Sequence, residues 1–228
     1  MLKKITQEEL NKKIEAGEKV FSRLDLSNLN FSGLKLDGIS FSQCIFNGAS
    51  FEEAKLTNLA FSHSNLIDLN FSGLKLDNVS FSQSYLTRAN FREAKLTDVR
   101  FYWAIAVDAK FQKALLHEVD FYKGSLREAN FYQAHLSMAR FFQVNGLACA
   151  NFKEADLSEA DFAFSYLKNA SFEGANLEGC NFQGASLHGA IFTDAILKNS
   201  LLPAEAIGSA VFNNKKGAIF LPQIYLED

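Results

Sequence analysis

Few side chains in this chain could carry out chemistry, and they are scattered. Four histidines (His63, His117, His135, His188) and three cysteines (Cys44, Cys149, Cys180) are the potential metal ligands and nucleophiles. Metal sites and thiol catalysis need such groups in sets, as ligands at short fixed spacing or a thiolate beside a base. The cysteines are too far apart for a metal knuckle or a disulfide framework. No acidic or cysteine partner completes a metal site with His117 and His135, and no base accompanies Cys149. The sequence has no Gly-rich phosphate loop, nucleophile elbow or His/Cys/Asp constellation. These residues point away from an enzyme, a metal and a cofactor.

Two other groups have the composition of a binding surface. Tyr102, Trp103, Tyr122 and Phe142 are flanked by Arg100 and Arg140, and these residue types anchor protein interfaces. Glu154, Asp156, Glu159, Asp161, Glu173 and Glu178 give residues 141–180 a net charge of −4, while the rest of the chain sums to +1. Carboxylates at regular spacing on a rod can imitate DNA phosphates. The competing readings are rings that stack only on one another, and a solvated face that keeps the molecule soluble. Either group becomes a site only if residues 20 apart are neighbours.

The element that would make them neighbours is a repeat. Every fifth residue is large and apolar, alternating Phe and Leu, from Phe21 to Phe141 and, after a slip of one residue, from Leu147 to Leu202. The Phe positions are Phe21, Phe31, Phe41, Phe51, Phe61, Phe71, Phe81, Phe91, Phe101, Phe111, Phe121, Phe131, Phe141, Phe152, Phe162, Phe172, Phe182 and Phe192. Calling the large residue i, position i−2 is mostly small and positions i−1, i+1 and i+2 are mostly polar. A period of five is neither that of a strand nor that of a helix. Two inward residues in five cannot form a core alone, so units must stack.

Phe/Leu alternation sets the number of sides. A four-sided coil of 20 residues stacks Phe on Phe and Leu on Leu, which keeps the packing uniform. FSGLKLD at Phe31 returns at Phe71, and FEEAKLT at Phe51 returns as FREAKLT at Phe91. Both duplications span 40 residues, two such coils. The 37 units predict about nine coils, a rod on the order of 45 Å long at the usual strand spacing. The fold class is an all-β, four-sided parallel β-helix. Stacking by 20 gives an outer ladder at i+1 of Ser22, Ser42, Ser62, Ser82, Tyr102, Tyr122, Phe142 and Ala163, with Arg100, Asp120 and Arg140 beside it.

Residues 1–20 are expected to cap the first coil with a helix, its N-cap Thr6 forming a capping box with Glu9 and Gly17 stopping it. Residues 21–202 form the β-helix. Residues 203–228 lose the period but keep Ile207, Val211, Phe212, Ile219, Phe220, Ile224 and Tyr225, as a cap or a homodimer contact. The slip at 141–147 reads as a bulge, with Asn145-Gly146 in a positive-φ turn. Cys44 and Cys180 fall at inward positions and Cys149 outward. No apolar run is long enough to span a bilayer and no secretion signal is visible, so a reduced, cytoplasmic setting is expected. The charge does not suggest direct nucleic-acid binding.

Units such as ANFREAKLTD, ADLSEADF and ANLEGCNFQGASL resemble the pentapeptide-repeat family over residues 21–202. The resemblance implies a right-handed quadrilateral β-helix and a non-enzymatic binding or scaffold protein with a protein partner. Members that mimic DNA and bind DNA gyrase or topoisomerase IV, giving quinolone or toxin tolerance, supply one alternative. Translocated bacterial effectors supply a second. Topoisomerase-binding members dimerise through their C-terminal ends. The long loops of the plasmid-borne quinolone-resistance members are absent.

Overall fold

A computed structural model describes residues 2–222. The chain winds as a four-sided parallel β-solenoid of about 11 turns. On the first face Val20–Ser22, Ser40–Ser42 and Ala60–Ser62 pair in register, Phe21 on Phe41 on Phe61. On the fourth face Lys35–Asp37, Lys55–Thr57, Lys75–Asp77 and Lys95–Thr97 pair with Leu36, Leu56, Leu76 and Leu96 in line. Elsewhere single bridges at i−1 carry the ladder. On the first face Ser80, Arg100, Asp120, Arg140, Asp161, Asn181 and Leu201 follow one another.

Each five-residue unit meets its backbone hydrogen bonds in the same way. Phe101 N–H donates to Asp120 O at 2.7 Å and Trp103 N–H to Tyr122 O at 3.0 Å, while Ala104 N–H turns back to Phe101 O at 3.0 Å. That leaves the amide at i+1, and buried amides need acceptors. Asn or Asp at i−1 supplies one: Ser32 N–H donates to Asn30 Oδ1 at 2.9 Å, Tyr122 N–H to Asp120 Oδ1 at 2.9 Å, and Tyr132 N–H to Asn130 Oδ1 at 3.0 Å. This local side-chain turn explains the polar residue that precedes so many of the large ones. Position i+2 is left-handed in every unit, from Arg23 (φ 54°) to Asn199 (φ 59°).

The interior is filled. Phe rings stack along each column, as Phe111 does on Phe91 at 5.0 Å and on Phe131 at 4.8 Å. They meet edge-on across the rod, Phe101 to Phe111 at 5.9 Å and 89°. Both arrangements suit the ring quadrupole. Phe46, in a Leu column, meets Phe41 edge-on at 5.1 Å, and Ala106 is buried.

There are more coils than the nine expected, because both ends go on stacking after the period has gone. Lys3–Lys4 pairs with Leu24–Asp25 and carries Ile5 into the core. The helix Gln7–Glu15 follows, with the Thr6/Glu9 capping box formed and Leu10 buried. Gln7 accepts from Asn30 N–H at 2.7 Å and donates to Asn30 O at 3.0 Å, satisfying the edge of the first coil. At the other end Leu201–Pro203 pairs with Ile219–Leu221, and Phe212 stacks on Phe192 at 4.8 Å. A short helix, Ala206–Ser209, lies between them. The described part of the C-terminal segment thus packs on the last coil, with Val211 and Ile219 exposed on it. Ile224 and Tyr225 lie outside the described residues.

Candidate functional site: an aromatic corner

The serine-to-aromatic ladder forms one surface. Tyr102 meets Tyr122 edge-on at 6.2 Å, and Tyr122 stacks on Phe142 at 6.1 Å and 13°. Trp103, 52% exposed, meets Tyr122 edge-on at 6.4 Å. Lys123 Nζ sits 5.0 Å from the Trp103 ring and 5.3 Å from that of Tyr122, a cation–π contact that ties two coils together. The rings therefore stack on one another and also present outer surface.

The charges beside the rings divide unequally. Asp120 is almost buried, accepting from Tyr122 N–H and, at 3.1 Å, from Arg140 Nη1. Asp161 accepts from Ala163 N–H at 3.0 Å and Asn181 Nδ2 at 3.1 Å. Both carboxylates are occupied by their own chain. Arg100 donates to Asn78 Oδ1 at 3.2 Å, and the Arg140 side chain is still 58% exposed.

The surface is wider than the ladder alone indicates. Tyr85, Ile105 and Tyr166 are exposed across the corner, at i−1 of the second face. Tyr85, Trp103 and Ile105 border an open groove with His63 and Gln83. Phe164, at i+2, meets Phe142 edge-on at 5.8 Å and takes over where Ala163 is buried. Running the second-face ladder by steps of 20 exposes Tyr85 and Ile105 in the sequence. The same step on the fourth face reveals a file of exposed lysines, Lys35, Lys55, Lys75 and Lys95.

The slip is built differently from the expected positive-φ turn. Neither Asn145 nor Gly146 is left-handed, and the left-handed residue there is Gln143 (φ 54°), as in every other unit. Asn145 is the extra residue, exposed in a bend, and Gly146 takes the bridge to Ser125. A Cβ on Gly146 would lie 2.8 Å from Ser125 Oγ, a hydroxyl that can rotate away, so the tight spot there is with a side chain and the backbone angle is ordinary.

The acidic stretch is largely engaged within the chain. Glu173 pairs with Lys153 at 2.5 Å and Glu178 with Lys198 at 2.6 Å. Glu154 accepts from Gln133 Nε2 at 2.8 Å and Tyr132 Oη at 3.3 Å. Asp156 and Asp161 hold i+1 amides and the asparagine of the next coil. Among the described residues Glu159 alone has no such partner.

The thiols and imidazoles follow their places in the repeat. Burial pushes the Cys44 and Cys180 thiols up from the usual range, and Cys149 is exposed. His117 Nδ1 lies 2.8 Å from Ser137 Oγ. Among the described residues no three His, Cys, Asp or Glu side chains gather as a metal site.

A family model described as a pentapeptide repeat region matches residues 18–91 and 75–148. A second, described as pentapeptide repeats (8 copies), matches residues 147–174 and 162–199. No curated protein matches the chain. One similar solved structure is HetL, a pentapeptide repeat protein involved in heterocyst differentiation regulation in the cyanobacterium Nostoc sp. strain PCC 7120. It is 27% identical, over 93% of this chain and 91% of that one, with a TM-score of 0.33. QnrB1, a plasmid-mediated fluoroquinolone resistance protein, is 20% identical over 88% of this chain and 92% of that one, with a TM-score of 0.35.

Proposed function

This chain belongs to the pentapeptide-repeat family, and we propose that it is a non-enzymatic docking rod that holds a protein partner on its aromatic corner. The observation that carries the reading is the run of exposed or half-exposed aromatics, Tyr85, Trp103, Tyr122, Phe142 and Tyr166, in which Tyr122 and Phe142 take the place that Ser22, Ser42, Ser62 and Ser82 hold on the first-face ladder of the earlier coils. Contiguous apolar surface of this kind marks interaction sites, and Tyr, Trp and Arg dominate interface energetics. The core columns are closed by Phe and Leu, which leaves the outer faces for recognition.

The test is the triple variant Tyr102→Ser, Trp103→Gln, Tyr122→Ser. The same ladders carry Ser62, Ser82 and Gln83, so the fold should tolerate it. Proteins captured from the native host would be quantified by mass spectrometry with wild type and variant, alongside circular dichroism. A partner bound by wild type and lost by a folded variant supports the reading. An unchanged set of captured proteins ends it.

The topoisomerase alternative rests on the acidic stretch, where five of the six carboxylates already have partners in the chain. A supercoiling assay with purified gyrase in the same series addresses it.

A further inference from the structure

We propose that the occupant of the corner is an acidic, proline-rich segment in the polyproline II conformation, lying along the rod axis. This rests on the docking-rod reading above and names the partner's chemistry.

The first argument is spacing. Coils repeat at about 4.8 Å, so two coils span about 9.6 Å. A polyproline II helix has three residues per turn at about 3.1 Å each, a repeat of about 9.3 Å. Every third residue of such a segment thus meets the same kind of surface two coils further on, as from Tyr102 to Phe142. A β-strand repeats every two residues, about 6.7 Å, and falls out of step within one coil. Aromatic-lined surfaces are also the standard receptors for polyproline II segments, whose ordering cost is already low.

The second argument is charge complementarity. Asp120 and Asp161 are turned into bonds with their own backbone. The strip therefore presents Lys123, whose ammonium rests on the Trp103 and Tyr122 rings, with Arg100 and the exposed side of Arg140. A partner with spaced carboxylates matches these cations. A polyanion matches less well, because Asp98, Glu118 and Glu159 line the next corner and the chain carries −3 overall.

Trp103 is the sole tryptophan, so the emission of the intact protein reports on this surface directly. It would be titrated with a Glu-Pro-Pro repeat peptide, a Lys-Pro-Pro repeat, a Glu-Gly-Ser repeat of equal length and charge, and single-stranded oligo-dT. The expected result is a saturable emission change with Glu-Pro-Pro and binding at least about tenfold weaker for the other three. Lys123→Glu and Tyr102→Ser/Tyr122→Ser should each weaken Glu-Pro-Pro binding by about tenfold, as losing an interface anchor does, with circular dichroism unchanged. No saturation by Glu-Pro-Pro overturns the proposal. So does equal binding of Glu-Gly-Ser or Lys-Pro-Pro, or tighter binding of oligo-dT. If the peptide fails while the triple variant still loses a host partner, the docking rod stands and this inference alone falls.

Discussion

Lys113 offers a test in which the physics of this fold and ordinary strand propensity predict opposite signs. It is exposed, forms no ion pair among the described residues, and has φ 58°. Like every i+2 residue it sits in the left-handed region while its N–H pairs with Tyr132 O at 3.0 Å. In an all-β protein, propensity would favour Lys113→Val and penalise Lys113→Gly, over a range of about 1 kcal/mol. The backbone says otherwise. A left-handed L-residue costs roughly 1–2 kcal/mol from its Cβ alone, and a β-branched side chain adds a second clash there. None of the i+2 positions from Arg23 to Asn199 is Val, Ile or Thr. Lys113 already bears the Cβ cost, so Lys113→Val should destabilise by the branching clash alone, about 1 kcal/mol. Lys113→Gly should stabilise by up to about 1 kcal/mol, the relieved strain exceeding the extra unfolded-state entropy. Equilibrium urea unfolding followed by circular dichroism would give the order Gly, Lys, Val. A valine variant as stable as wild type, or a glycine variant less stable, would refute the strain argument.

Phe111→Ala should cost about 4 kcal/mol, since the ring is packed from both sides and edge-on. Phe212→Ala, stacked on Phe192 alone within its column, should cost about half of that in the same urea series; equal costs would contradict the stacking account. Deleting Asn145 restores the strict period and should leave stability within about 1 kcal/mol of wild type, whereas a loss above about 2 kcal/mol would show that the bulge is structurally required. Of the three thiols, only Cys149 should react rapidly with a thiol reagent in the native state, because Cys44 and Cys180 are buried and resist ionisation; two fast equivalents would refute that. Arg88 donates to Asp68 and holds its carboxyl below the ordinary value. The pair's stabilisation is therefore present above the unfolded carboxylate pKa and lost as pH falls through the lower folded value. Both partners are exposed, so Asp68→Asn should cost no more than about 0.5 kcal/mol at neutral pH and nothing in strong acid; a pH-independent cost would disprove the linkage.

The interior was legible because its period leaves no other solution. Phe31 over Phe51 over Phe71 is written in the chain as a step of 20, and the structure stacks those rings at 4.8 and 5.5 Å. The ends were not legible in the same way. Ile5 and Phe220 join the stack through backbone pairing outside the five-residue register, and Phe212, though 20 residues after Phe192, follows a break in the repeat at the helix Ala206–Ser209, so the expected coil count is short. Asp156 and Asp161 were read as free surface charge, although Asn30, Asn70, Asn90, Asn130 and Asn151 mark the same position as a local amide acceptor. Phe164 and Tyr166 stand off the i+1 ladder of the first face, at i+2 and at i−1 of the second face, so that ladder alone does not show them.

Stacking turns these separate ladders into one track. In a solenoid each surface choice is repeated at the coil spacing, so a change of residue type on one ladder becomes a stripe parallel to the axis. Up to Phe142 the stripe lies on the first face, ring above ring. One coil later the i+1 position is Ala163, buried, and the next ring in contact is Phe164, at the corner beside Tyr166. The change is one of residue type, because Arg140 bridges Asp161 and Gln143 N–H donates to Ala163 O as in the other coils, so the extra residue Asn145 is absorbed locally. The stripe then bends from one face toward the next without breaking ring-to-ring contact. Its bent course puts Tyr85 and Ile105 near one end, Tyr166 at the other, and Lys123 near its middle. A long, narrow, continuous track of this kind suits an extended segment better than a globular surface, which would need several faces at once.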